Sequence, residues 1–293
     1  MTDISFSLNL IADMHTILQY DFMQHAFEAG TIVAIIAGIV GYFVVLRRSS
    51  FAAHALSHVG FAGAAGAVLF GIDPLIGLLV FTSGGGISIA ILGRRAANRD
   101  VQIGTVLAFM LGLGVLFISL YSGYATEAYS ILFGEILGIS NSDVLVTFIA
   151  SLVILISTAV VYRPLLFASL DEDVAEAMGL PTLLIGIIFM LLVAAATSIA
   201  VQVVGVLLIF SLMVTPAAIA QRFAKRPPLG IMISVCIALF ATWTGLFISF
   251  YLPYPVSFFI TSIVFTLYIL VLLFQRINTS LIFRTIILPK SER

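Results

Sequence analysis

Apolar residues fall along this chain in long blocks separated by short polar breaks. A helix that crosses roughly 30 Å of hydrocarbon at 1.5 Å per residue needs about 20 mostly apolar residues. Nine blocks meet that need, at residues 28–46, 52–71, 74–93, 102–122, 143–162, 182–201, 204–221, 229–251 and 255–275. Glycines interrupt several of them, and the stretch 123–142 is apolar enough to dip into a membrane. The pattern therefore predicts an all-α, polytopic membrane helix bundle of about nine transmembrane helices, with eight as the alternative count. Ahead of the first block, Leu10, Ile11, Met14, Ile17 and Leu18 recur at helical spacing, which predicts an amphipathic segment lying on the membrane surface within residues 1–27. The membrane domain then occupies 28–275, and 276–293 form a tail.

Composition agrees with the pattern. Hydrophobic residues make up 61% of the 293 and charged residues 9%, against roughly a quarter charged in soluble domains. A water-soluble fold is excluded, and nothing supports binding to nucleic acid. Cys236 is the single cysteine and lies in an apolar run, so no disulfide framework or thiolate cluster is available; it reads as a small buried hydrophobe. The first residues lack the basic region and small-residue cleavage site of a signal peptide and carry Asp3, Asp13 and Asp21, so they are expected to be retained.

Orientation comes from where the charges fall. Lys and Arg are held on the cytoplasmic side of membrane proteins, and here all 13 lie in alternate connections or the tail: Arg47 and Arg48; Arg94, Arg95 and Arg99; Arg163; Arg222, Lys225 and Arg226; Arg276, Arg284, Lys290 and Arg293. This predicts an N-terminus outside and a C-terminus in the cytoplasm, with Asp73, Glu127, Glu135 and Asp143 on the outer side. Gly60, Gly63 and Gly66, with Ala62, Ala64, Ala65 and Ala67, give the second block a surface of small residues suited to close helix packing. Gly84, Gly85, Gly86 and Pro216 are expected kinks or packing points.

Two features carry chemistry. In FAAHALSH, His54 and His58 stand at i and i+4, so both imidazoles project from one helical face. One such histidine is ordinarily a satisfied core residue; two on one stripe inside a span point to a metal site, because ionisable groups in a membrane are costly and mark pathways. Imidazole suits zinc and other borderline metals, whereas magnesium and calcium want oxygen. His15 and His25, in or beside the surface segment, read as solvated. The second feature is SLDEDVAEAMGLP. Ser169 and Glu172 form a capping-box pattern, Asp171, Glu172 and Asp173 fill a first helical turn, and Gly179 with Pro181 supply the stop. This predicts a short capped helix on the cytoplasmic face, for which a plain solvated connector is the equal alternative.

FVVLRRSSFAAHALSHVGFAGAAGAVL, LFGEILGIS, DEDVAEAMGLPTLLI and VGVLLIFSLMVTPAAIAQRFA together resemble the permease subunits of the zinc, manganese and iron family of bacterial ABC importers, over residues 25–275. The resemblance implies a plasma (inner) membrane protein that works as a homodimer with a pathway between its chains. It also implies two cytoplasmic ATP-binding subunits and an extracytoplasmic metal-binding protein as partners. No cofactor is implied beyond the transported divalent metal. The segment Asp171, Glu172, Asp173, Glu176, Ala177 and Gly179 would be the ATPase-coupling helix. The position of His54 is usually Asp in the family, so an imidazole replaces a carboxylate here; that softens the site and favours zinc over manganese. The chain has no GxxxxGK[ST] phosphate loop, so hydrolysis must belong to a partner. A proton-coupled transporter would need buried carboxylates, and the middles of the blocks hold no Asp or Glu; an intramembrane enzyme would need HExxH, GxSxG or paired intramembrane carboxylates, none of which the sequence offers.

Overall fold

A computed structural model describes residues 10–92, 99–121, 134 and 136–287. The helices are α1 (Leu10–Ile17), α2 (Asp21–Leu46), α3 (Ser50–Leu69), α4 (Pro74–Leu92), α5 (Arg99–Leu120), α6 (Asn141–Leu170), α7 (Glu172–Ala177), α8 (Thr182–Phe223), α9 (Pro227–Tyr251) and α10 (Val256–Ile287). Among the described residues, eight helices are long and apolar enough to cross a membrane. Each of the nine apolar blocks lies in one of these eight, because the sixth and seventh share α8.

That helix is not one rod. Forty-two residues would extend roughly 60 Å if straight, about twice the hydrocarbon thickness. Gly205 interrupts it with φ 81° and ψ 166°, a conformation open essentially to glycine alone. Contacts on either side of Gly205 show what the interruption does. The Phe189 ring lies 5.3 Å from the Arg47 guanidinium, and Gln221 donates a 3.1 Å hydrogen bond to the Tyr42 carbonyl. Arg47 and Tyr42 sit together at the end of α2, so both ends of α8 lie at the same end of the bundle. Val204 and Leu208, beside the interruption, line a cleft with Gly134, Tyr254 and Pro255, at the start of α10. The helix therefore folds back at Gly205 into two limbs. Pro216, expected as a kink or packing point, is buried within the second limb; the break is at Gly205, whose backbone lies against Gly134, itself at φ 75°.

One end of the bundle gathers Arg47 and Arg222, and Arg163 follows Tyr162, whose ring packs on Phe43 near the same end of α2. Arg47 donates to the Ser169 hydroxyl at 3.5 Å, and Arg222 donates to Gln275 at 2.7 Å while lying over the Tyr268 ring. At the other end, α1 packs against α9: Ile17 is fully buried, Tyr20 stacks on Phe250 at 5.7 Å, and the Asp13 carboxylate faces the Tyr251 hydroxyl. Helix α1 thus docks on the bundle, and α2 already begins at Asp21. His15 is exposed, as expected, and meets Gln19 at 3.2 Å.

Packing in the interior follows the small residues. α3 lies between α4, α5 and α8. Gly63 and Gly77 let α3 and α4 touch backbone to backbone. Gly85 meets Val59 and Leu56, and Gly86 meets the Met190 carbonyl, so these are packing points in a continuous α4 and not kinks. Thr82 and Ser198 share a buried 2.7 Å hydrogen bond that ties α4 to the first limb of α8. Cys236 corrects an expectation: it is exposed on α9 and not buried. The capping box expected at Ser169 is also displaced. Ser169 belongs to α6 and its hydroxyl bonds back to Leu165, while extended Asp171 caps α7 by accepting from the Val174 amide at 3.0 Å.

Candidate metal site

α3 is buried along nearly its whole length because Ala and Gly let three helices close on it. From Ala52 to Ala67, only His54 and His58 are not buried. The i, i+4 spacing puts both rings in this one window. Their centroids are 4.7 Å apart at 88°, edge to face. Phe210, from the second limb of α8, also lies against His54, at 4.7 Å and 59°. The Nδ1 atoms of both histidines are shielded from solvent, and neither has a hydrogen-bond partner among the described residues. The hydrogen bond at this turn belongs to the backbone: Ser57 donates to the His54 carbonyl at 2.7 Å.

Two uncharged imidazoles with free lone pairs can bind a borderline divalent ion. They cannot close its coordination shell. Among the described residues no group of three or more His, Cys, Asp or Glu could hold a metal, whereas a structural zinc site takes four ligands. By itself the pair is an incomplete ligand set.

The segment after α6 presents a different surface. Asp171, Glu172, Asp173, Glu176, Ala177 and Gly179 are all exposed, and only Ala175 turns into the bundle, fully buried. Gly179 ends α7 at φ 83°, with the Leu180 amide bonded to the Ala175 carbonyl at 3.0 Å. Beside and between the acids stand three apolar side chains that the reading of the sequence passed over: Leu170, Val174 and Met178, exposed by 65%, 46% and 72%.

Residues 19–275 match the model of the ABC 3 transport family. The chain belongs to that family. ABC 3 relatives include the manganese transport system membrane protein MntC of Listeria monocytogenes, 30% identical over 235 residues, which are 80% of this chain and 84% of the relative. The manganese import system permease protein ScaB of Streptococcus parasanguinis is 32% identical over 240 residues, 82% of this chain and 85% of the relative. Among solved structures, PsaBC from Streptococcus pneumoniae in complex with Fab superposes with a TM-score of 0.80 at 29% identity, covering 90% of this chain and 95% of that one. An inward-facing putative metal-chelate type ABC transporter shares the fold at 16% identity and a TM-score of 0.68, covering 92% and 91%. This ABC 3 chain is a multi-pass membrane permease of a divalent-metal ABC importer, and in the family the ATPase is a separate subunit. The relatives are named for manganese, where the imidazole at position 54 had led us to expect zinc.

Proposed function

We propose that two copies of this chain form a pathway for a first-row divalent metal, with manganese as the cargo the relatives support, and that the metal pauses between the His54 and His58 pairs of the two copies. The observation that carries this reading is the window in α3: between Ala52 and Ala67 the helix is sealed by its neighbours except at two histidines. Two such half-sites across an axis supply up to four nitrogens, and the bare imidazoles favour a site that releases as readily as it binds. Zinc is the second reading. It rests on the imidazole at position 54, which suits zinc better than manganese.

Nine crossings, with the N-terminus outside and the C-terminus in the cytoplasm, support the same scheme. The fold-back at Gly205 keeps Arg222 at the end that holds Arg47 and Arg163, as retention of basic residues in the cytoplasm requires. At that end α7 would seat on the ATPase, and the extracytoplasmic binding protein would deliver metal opposite. The test is uptake of radioactive manganese and zinc by vesicles holding the full complex. Replacing both histidines by alanine should abolish uptake of either metal at normal membrane levels; undiminished uptake would send the metal along another route.

A further inference from the structure

A metal-binding histidine ordinarily has its other ring nitrogen held by a carboxylate or carbonyl, which fixes the ring and strengthens the ligand. His54 and His58 have no such support among the described residues, since both Nδ1 atoms lack a hydrogen-bond partner. What confines His54 is aromatic. His58 meets it edge-on from its own helix, and Phe210 packs against it, tilted, from the second limb of α8. Phe210 stands on the open stripe of that limb with Leu207, Ser211, Val214 and Thr215, all unburied while Leu208, Ile209, Leu212 and Met213 are buried. Its ring is therefore part of the same window as the two imidazoles and not a filler of the core.

The geometry points to Phe210 as the positioning residue of the pathway, the group that holds the His54 imidazole in register with His58 and so sets the preference for metals that take nitrogen ligands. Aromatic rings attract each other in tilted and edge-on arrangements beyond their simple contact area, which an imidazole can share and a carboxylate cannot. The ring also keeps water from one side of His54. A ring held by packing alone is restrained against rotation yet donates without added basicity, which suits transient binding. Phe210 lies little more than one helical turn beyond Gly205, so the limb that carries it starts at the fold-back beneath Gly134. A shift of that limb would move the Phe210 ring directly on His54.

This inference rests on the reading of His54 and His58 as pathway ligands, and the experiment separates the two. Zinc and manganese uptake are measured in vesicles holding the permease, its ATPase and its binding protein. The variants are F210A, F210L, F210W, H54D, F210A/H54D and H54A/H58A, with membrane level and ATPase copurification as controls for folding. F210A should raise the half-saturating zinc concentration by about tenfold, the usual scale for losing the support of a ligand, and lower the zinc-to-manganese ratio, with the maximal rate little changed. F210W should restore zinc affinity and F210L should not, because leucine fills space without a ring. With Asp at position 54, F210A should alter the half-saturating concentrations by less than about twofold, since no imidazole remains for it to hold. An equal effect in both backgrounds, or full rescue by leucine, would reduce Phe210 to packing and overturn the assignment. Wild-type behaviour of F210A would overturn it too. Normal uptake by H54A/H58A would instead overturn the pathway reading itself.

Discussion

Gly63 and Gly77 face each other across α3 and α4 with each carbonyl oxygen standing where the other residue's Cβ would be. The contact matters because α3 carries both histidines, and its depth in the bundle is what leaves them as the only unburied positions between Ala52 and Ala67. Gly77→Val should force the helices apart, at a cost of about 1–3 kcal/mol or more for overpacking, and should lower the thermal midpoint of the purified complex. Val80→Leu, on the exposed face of the same helix, should leave the midpoint unchanged. Equal midpoints for the two variants would mean that α4 can move without disturbing α3.

The fold-back at Gly205 predicts which residues share a side of the membrane. Single cysteines in a Cys236→Ser background should react with an impermeant thiol reagent from outside at positions 73 and 254, and be protected at 172 and 225. Glu172 and Lys225 flank α8, so their protection together requires both limbs to cross. Labelling at 225 but not 172 in intact cells would mean a single crossing by α8. Gly205→Ala should destabilise by about 1–3 kcal/mol, because alanine rarely takes the backbone angles found there.

At the basic end, the segment that carries Asp171, Glu172, Asp173 and Glu176 also exposes the apolar side chains of Leu170, Val174 and Met178. Lipid is a poor cover for apolar side chains interspersed with four carboxylates, so a protein groove with an apolar floor and a basic rim is the fitting cover. Met178→Asp should abolish copurification of the ATPase while leaving the permease in the membrane, and Glu172→Lys should weaken it in a salt-dependent way. Retention of the ATPase by Met178→Asp would leave α7 as a connector, the alternative that the sequence kept open.

How much of this was readable beforehand divides along physical lines. The apolar blocks gave eight long helices because bilayer thickness dictates their length, and the spacing of His54 and His58 placed both rings on one face because helical geometry is local. Ser169 misled because a capping pattern is only a local competition: α6 had enough apolar packing to run past it to Leu170, and Asp171 took the cap. Cys236 misled because an apolar residue in a membrane helix is as stable facing lipid as facing protein. Phe210 could not be assigned at all. Its contact with His54 spans 156 positions of sequence and depends on the reversal at Gly205, which no periodicity encodes.

The final prediction concerns protons. An imidazole binds metal only when neutral, and its ordinary pKa is about 6.5, whereas an aspartate stays ionised down to about 4. With two imidazoles per chain, each bound metal must exclude protons from as many as four rings in the dimer, so uptake should fall steeply as the outer pH is lowered from neutral. His58→Ala should abolish uptake at every pH, since a single nitrogen per chain leaves too few ligands. His54→Asp should keep uptake, move it toward manganese, and make its decline with acid shallower, because one titrating imidazole per chain is replaced by a carboxylate that keeps its charge over the same range. Uptake of each metal by vesicles between pH 5 and pH 8, variant against wild type with the same ATPase and binding protein, reads all three. The shared components titrate alike in both, so a difference in steepness belongs to position 54. If His54→Asp declined with acid as steeply as the wild type, the proton sensitivity would lie elsewhere in the complex, and the imidazole at 54 would not be a ligand whose protonation limits transport.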